Sequence, residues 1–178
     1  MPAYYTYLIS SLPMLHLGSK APFSFEKFID ICEGLISDKD VEILKASPQV
    51  DKYADSGTQA PTFKKWQKFD TALRNELVKI RSSRKKLDPA RYLRGESGYT
   101  ESFISHSAMN VYRNPSILEA ERALDQERWR QLDELSTGHY FDIDFLIIYG
   151  LKLLILEKWE MVRSADKSRT LEDVLTKG

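Results

Sequence analysis

The stretch Asp142-Ile143-Asp144-Phe145-Leu146-Ile147-Ile148-Tyr149-Gly150-Leu151-Lys152-Leu153-Leu154-Ile155-Leu156-Glu157-Lys158-Trp159 decides the fold. It is apolar nearly all round, and a helix of that kind is a membrane span or the central rod of a helical domain. A span needs roughly 20 mostly apolar residues. Lys152 interrupts this run, and Asp144 and Glu157 bound it. About a dozen residues remain, which is the length of a core helix. Acids at its start and Lys158 and Arg163 near its end suit the helix dipole.

The residues just before it read as a second arm, from Asn114 through Leu135. Asn114 can cap that helix, Pro115 suits the first helical position, and Gly138 can take the left-handed conformation that closes it. Its apolar points are Ile117, Ala120, Leu124, Trp129, Leu132 and Leu135. Glu119 and Glu121 read as surface ion-pair partners for Arg122, Arg128 and Arg130, with Glu119 and Arg122 at helix-neighbour spacing. The sequence thus predicts an all-α helical bundle with a long C-terminal helical hairpin.

Further out the signals remain helical. Thr62 can cap a helix from Phe63 to about Lys86, with Trp66, Phe69, Leu73, Leu77 and Ile80 on one face. Leu87-Asp88-Pro89 stops it, and Ser102–Val111 reads as a short helix. Ser24 and Ser37 are caps for two short helices, the first presenting Phe25, Phe28, Ile29, Cys32 and Leu35. Residues 4–12 fit a strand or a helix ended by Pro13, with the helix favoured by the rest of the chain. Tyr4, Tyr5 and Tyr7 read as core-and-rim packing, and His16 and Cys32 as packed core residues. Ser164–Ser168 is polar, and Thr170 can cap a last short helix to Leu175. The Gly/Pro-rich stretch 47–61 is a surface loop within a single helical domain, 1–178, made of an N-terminal segment (1–56) and a main bundle (62–178).

Composition bounds the function. Lys and Arg number 26 and Asp and Glu 26, so net charge is zero, and 42% of the 178 residues are hydrophobic. That is enough for a core without disulfides or metal. It also argues against a surface built wholly for nucleic acid. The single cysteine excludes an internal disulfide and points to a reducing compartment. Met1-Pro2-Ala3-Tyr4 lacks the basic opening of a signal peptide, so the expectation is a cytoplasmic protein. No phosphate-binding glycine loop, nucleophile elbow or Glu-x-x-His pair occurs. No catalytic residue, cofactor, directly bound nucleotide or metal is expected; Asp142 and Asp144 at a helix start have a structural task.

Charge is nonetheless segregated. Between Lys64 and Arg94 stand 11 Lys and Arg against Asp70, Glu76 and Asp88. From Glu26 to Asp55, 8 acids face 4 lysines. Segregation of this kind steers oriented encounters. Arg81, Arg84, Lys85, Lys86, Arg91 and Arg94 are the candidate partner surface; a solvated helix end is the plain alternative.

The opening Tyr4-Tyr5-Thr6-Tyr7-Leu8-Ile9-Ser10-Ser11-Leu12-Pro13-Met14-Leu15 resembles that of a poorly characterised bacterial family. Pro22-Phe23-Ser24 with Glu26 and Phe28, Asn114-Pro115 with Arg128-Trp129, and Phe141-Asp142 resemble it too, across the whole chain. Genes of that family lie among those of V-type (A/V-type) ATP synthases, in the place of the funnel-shaped adaptor of the central stalk. The resemblance implies a non-catalytic, all-helical adaptor between rotor shaft and membrane ring, held at the cytoplasmic face of the membrane by partner subunits. The chain is about half the length of an ordinary stalk adaptor, and no ring-contact residue carries over by motif. The alternative is a helical nucleic-acid-binding module using the basic 79–94 run, which phosphate contacts would make steeply salt-dependent.

Overall fold

Each local start signal in this chain is a small polar residue followed by an apolar period, and the structure, a computed structural model, turns most of them into helices. It describes residues 4–48, 60–95 and 102–176, with side chains described up to residue 165. In order these are α1 (Tyr5–Ser11), α2 (Phe25–Cys32), α3 (Asp38–Ala46), α4 (Pro61–Lys85), a 3-10 turn (Pro89–Arg91), α5 (Ser102–Arg113), α6 (Ile117–Leu135) and α7 (Ile143–Thr176). Among the described residues there is no strand, so the fold is the expected all-α bundle and the opening segment is a helix. No described helix is long and apolar enough to cross a membrane.

The caps explain the starts. Ser24 accepts from the Lys27 amide and Ser37 from the Asp40 amide, as their spacing predicts. Asp142 Oδ1 accepts from the Phe145 amide at 2.9 Å and caps α7. Two starts move. Ala60, not Thr62, precedes α4, because Pro61 takes the first helical position, where its fixed φ fits and no donor is missed. Ser116, not Asn114, caps α6, accepting from Glu119 three residues on. Asn114 instead accepts from the Ser116 amide at 3.1 Å and shapes the turn before it. One end moves as well. The backbone of α7 runs unbroken to Thr176, so no separate helix begins at Thr170. Residues 164–168 are polar but hold neither Gly nor Pro, and polarity alone does not stop a helix. The stretch 49–59, most of the expected loop, lies outside the described residues.

The helices fall into two compact units. One takes in the described residues up to Pro48 and from Gly138 onward; the other runs to Thr137. The arms of the C-terminal hairpin thus belong to different units, α6 to the second and α7 to the first.

In the first unit α2 and α3 pack on α7. Leu146, Ile147, Leu153 and Leu156 are wholly buried, along with Leu8, Phe28 and Leu44. Each such side chain contributes about 1.5–3 kcal/mol over exposure. Tyr149 lies 5.2 Å from the Phe28 ring and donates to the Pro13 carbonyl at 3.0 Å, holding the segment after α1. That segment leaves His16 exposed, contrary to its apolar neighbours in sequence, because Pro13 has already ended the helix. Tyr4 and Tyr7 are also largely exposed, whereas Tyr5 donates to Asp40 at 2.7 Å.

In the second unit α4 packs against α5 and α6. Phe63, Trp66, Phe69, Leu73 and Leu77 of α4, Ile104, Ala108 and Val111 of α5, and Leu124, Trp129 and Leu132 of α6 are its buried set.

Burial gives the first unit an alkaline limit. It pushes the Cys32 thiol and the Tyr149 phenol each up to about 12. Burial, then the hydrogen bond to Asp40, raises Tyr5 further. In each case the folded state holds the proton more tightly than the unfolded chain, where Cys titrates near ~8.5 and Tyr near ~10. Stability from these groups is therefore whole below about pH 8.5 and falls as pH rises toward 12. Urea midpoints between pH 8 and 11 are expected to drop, and Tyr149→Phe should make the drop shallower. A midpoint independent of pH over that range would contradict the assignment.

Candidate functional site

The cations of the second unit gather at the C-terminal end of α4. Arg81, Arg84 and Lys85 are exposed on its last turns, where positive charge also complements the helix dipole. Lys86 then closes the helix at φ 55°, ψ 36°, a left-handed conformation, with its amide donating to the Ser82 and Ser83 carbonyls. Glycine takes this conformation without steric cost, whereas a lysine pays roughly 1–2 kcal/mol. The chain carries a cation at this position despite that strain.

From there the backbone folds back along α4. Asp88 Oδ1 accepts from the Ala90 amide and opens the 3-10 turn that carries Arg91. Asn75, buried on α4, clamps the backbone of Arg94 from both sides: its Nδ2 donates to the Arg94 carbonyl at 2.9 Å and its Oδ1 accepts the Arg94 amide at 3.0 Å. All six candidate residues, Arg81, Arg84, Lys85, Lys86, Arg91 and Arg94, are exposed on this one unit. Among the described residues no carboxylate pairs with Arg81, Lys85, Lys86 or Arg91. Lys79, in the same run, differs: it is held by Glu76 at 2.6 Å, and Glu76 also accepts from Ser105.

Beside these cations lies a cavity of about 130 Å³ lined by Leu77, Arg81, Val111, Tyr112, Asn114, Ile117, Ala120, Glu121 and Leu124. Its apolar floor comes from the buried Leu77, Val111 and Leu124. Arg84 donates to the Tyr112 hydroxyl at 3.1 Å, which ties the basic end to α5. Ile117 is 85% exposed, although its helical spacing points it to the core. It stands in the first turn of α6, at the rim of this cavity. The sequence run gives the cations; the cavity, Tyr112 and Ile117 come from helices distant in sequence, and the sequence reading, which placed Ile117 among the apolar points of its helix, did not connect them.

A second charged group is buried instead. Arg128 bridges Asp70 (Nε to Oδ1, 3.1 Å) and Asp125 (Nη1 to Oδ1, 2.8 Å), and Arg74 also reaches Asp70 at 2.7 Å. Burial opposes the Arg128 charge, yet the adjoining Asp70 and Asp125 hold the guanidinium above its ordinary pKa. Arg128 is therefore not the surface partner of Glu119 or Glu121 that the sequence reading expects; Arg122 is, pairing with Glu119 at 2.9 Å on the surface. This group fastens α4 to α6.

In the first unit, Asp142 and Asp144 come together with His139 at the start of α7, with ligand-capable atoms within 4.8 Å of one another.

A family model described as "Protein of unknown function (DUF2764)" matches residues 101–177, the part of the chain that holds α5, α6 and α7. The match covers less than half of the 178 residues. No curated protein and no solved structure matches the chain.

Proposed function

We propose that this chain is a non-catalytic subunit or accessory factor of a V-type ATPase or ATP synthase, a helical adaptor between the rotor shaft and the membrane ring. The sequence resemblance to the family found among those genes supplies the complex. The observation that supports an adaptor is the candidate partner surface on the second unit: exposed cations beside a small cavity whose apolar floor is rimmed by polar groups. Cations steer an acidic partner into register, and an apolar anchor in a pocket supplies most of the binding energy at such surfaces. Ile117, exposed at the cavity rim, adds apolar area for the same contact.

The test is affinity purification of the tagged chain from its native cells in mild detergent, with mass spectrometry of what is retained. Catalytic, stalk and ring subunits are expected with the wild type. The combined reversal Arg81→Glu, Arg84→Glu, Lys85→Glu and Lys86→Glu should reduce their recovery about tenfold or more, with the larger loss at low salt, where charges are least screened. Reversal of the exposed Lys64, Lys65 and Lys68 at the other end of α4 should leave recovery intact. Absence of all those subunits from the wild-type eluate overturns the proposal. Nucleic acid in their place, released with a steep salt dependence, would replace it with a phosphate-gripping module that uses the same cations.

A further inference from the structure

We propose that the cavity between α4, α5 and α6 of the second unit seats one apolar side chain of an acidic protein segment, with the segment's carboxylates on the α4 side. This occupant rests on the reading of the surface as a partner surface, and it defines what the partner presents there.

Size and floor set the anchor. The cavity holds about 130 Å³, close to the roughly 150 Å³ that takes a benzene ring. It therefore admits one side chain and not a whole helix. Leu77 of α4, Val111 of α5 and Leu124 of α6 line it, and all three are buried. An aliphatic floor suits an apolar side chain and gives a nucleic-acid base no ring to stack on. Ile117, at the rim and 85% exposed, extends the apolar area outward.

The polar groups around that floor are left as donors by the bonds they make within the chain. Asn114 Oδ1 already accepts from the Ser116 amide, so its Nδ2 remains to donate. The Tyr112 oxygen accepts from Arg84 at 3.1 Å, so its own O–H remains to donate. Arg81, exposed on α4, has no carboxylate partner among the described residues. Lys85 stands next to Arg84 on the last turn of the same helix. Donors and cations together favour an acceptor with negative charge, which in a protein is a carboxylate. Glu121 lines the α6 side of the cavity and is charged the other way. It repels a carboxylate there, so the partner's acids fall toward α4 and its residue facing α6 is neutral or basic. The cavity thus selects an orientation as well as a charge. Burial of the anchor holds the complex, and the charges set encounter and register.

The probe is a fluorescein-labelled peptide with one phenylalanine among glutamates, titrated with the full chain and followed by fluorescence anisotropy. Saturable one-to-one binding is expected. Replacing the peptide's phenylalanine by alanine, or its glutamates by glutamine, should each weaken binding tenfold or more. On the chain, Ala120→Leu, which puts a longer side chain into the cavity lining, and Ile117→Ser should do the same. Ile117 is so exposed that its replacement leaves the core intact, which circular dichroism checks. Added salt should weaken the glutamate peptides but keep the ratio between phenylalanine and alanine versions, because apolar contact is not screened. Absence of saturable binding by the wild type overturns the proposal. So does equal binding of the phenylalanine and alanine peptides, a comparison that needs no chain variant. A single-stranded oligonucleotide that binds more tightly than the peptide and ignores Ala120→Leu also overturns it. The adaptor reading fails separately. If the wild type retains no ATPase subunits from its native cells, that reading falls and the peptide titration still decides the occupant. If a chain with Ile117→Ser and Ala120→Leu retains those subunits as the wild type does, the adaptor stands and the anchor falls.

Discussion

Arg128→Met is expected to lower the stability of the chain by about 3–5 kcal/mol, the cost of taking one partner from a buried ion group. Asp70 and Asp125 are each only 2% exposed, and the guanidinium meets both with charge-assisted contacts of 3.1 and 2.8 Å. Methionine keeps much of the volume but none of the charge. Asp70 would keep Arg74, whose side chain is 40% exposed and hence partly screened by solvent. Asp125 would lose the guanidinium contact at 2.8 Å in a place that water cannot easily fill. Against a typical total of about 5–15 kcal/mol, such a loss removes a large share of the folded state. Arg128→Lys should recover only part of it, because a point charge cannot fork between two carboxylates. Replacing all three residues together, Asp70→Leu, Asp125→Leu and Arg128→Met, should be far milder than the single change, since the only charge left without its partner is Arg74, whose side chain is 40% exposed to solvent. Urea denaturation with hydrogen exchange in α4 and α6 reads these differences. A loss under about 1 kcal/mol for Arg128→Met would mean that the group contributes no more than a surface pair.

That cluster also marks where sequence reading stops. Asp70 follows Phe69 and precedes Leu73, on the side of α4 that periodicity assigns to the core, yet in a linear count it is one acid among many basic residues. Its partner stands 58 positions away, and helical spacing relates only residues three or four apart. The same limit separates what was legible in the candidate partner surface from what was not. The cations were visible as a run. The strain at Lys86, the Asn75 clamp on Arg94 and the Tyr112 contact to Arg84 depend on which helices pack together. The helix starts at Ser24 and Ser37 were legible because neither serine had a competitor for its amide, whereas Asp142 and Asp144 were both candidates for α7 and the structure takes Asp142. Where two candidates stood close, as Asn114 and Ser116 do, the nearer match to the Ser-x-x-Glu spacing decided the register.

Phe28→Ala is the companion loss in the first unit, expected at about 3–5 kcal/mol. Phe28 is wholly buried, and its ring stands against Tyr149 at 5.2 Å and against Gly150 of α7. A Cβ built on Gly150 would lie 3.2 Å from Phe28 Cε1 and 3.0 Å from Phe25 Cε2. The two rings thus occupy the space where a side chain would stand, which gives a physical reason for glycine in the middle of a helix, where it costs about 1 kcal/mol relative to alanine. Removal of the Phe28 ring leaves a void that α7 cannot close, because Ile147 and Leu153 are already fully buried in their own contacts. The cost should therefore lie toward the upper end of that range. The geometry further sets the sign of a coupling. In the wild-type background Gly150→Ala must push two aromatic rings aside, so its helix-propensity gain is cancelled. In the Phe28→Ala background one of those rings is gone, and the same methyl enters the void. Gly150→Ala is then expected to restore about 1 kcal/mol there while giving no gain alone. Chemical denaturation of the four chains measures this cycle, and an identical effect of Gly150→Ala in both backgrounds would show that the Phe28 ring does not fill the space above the glycine.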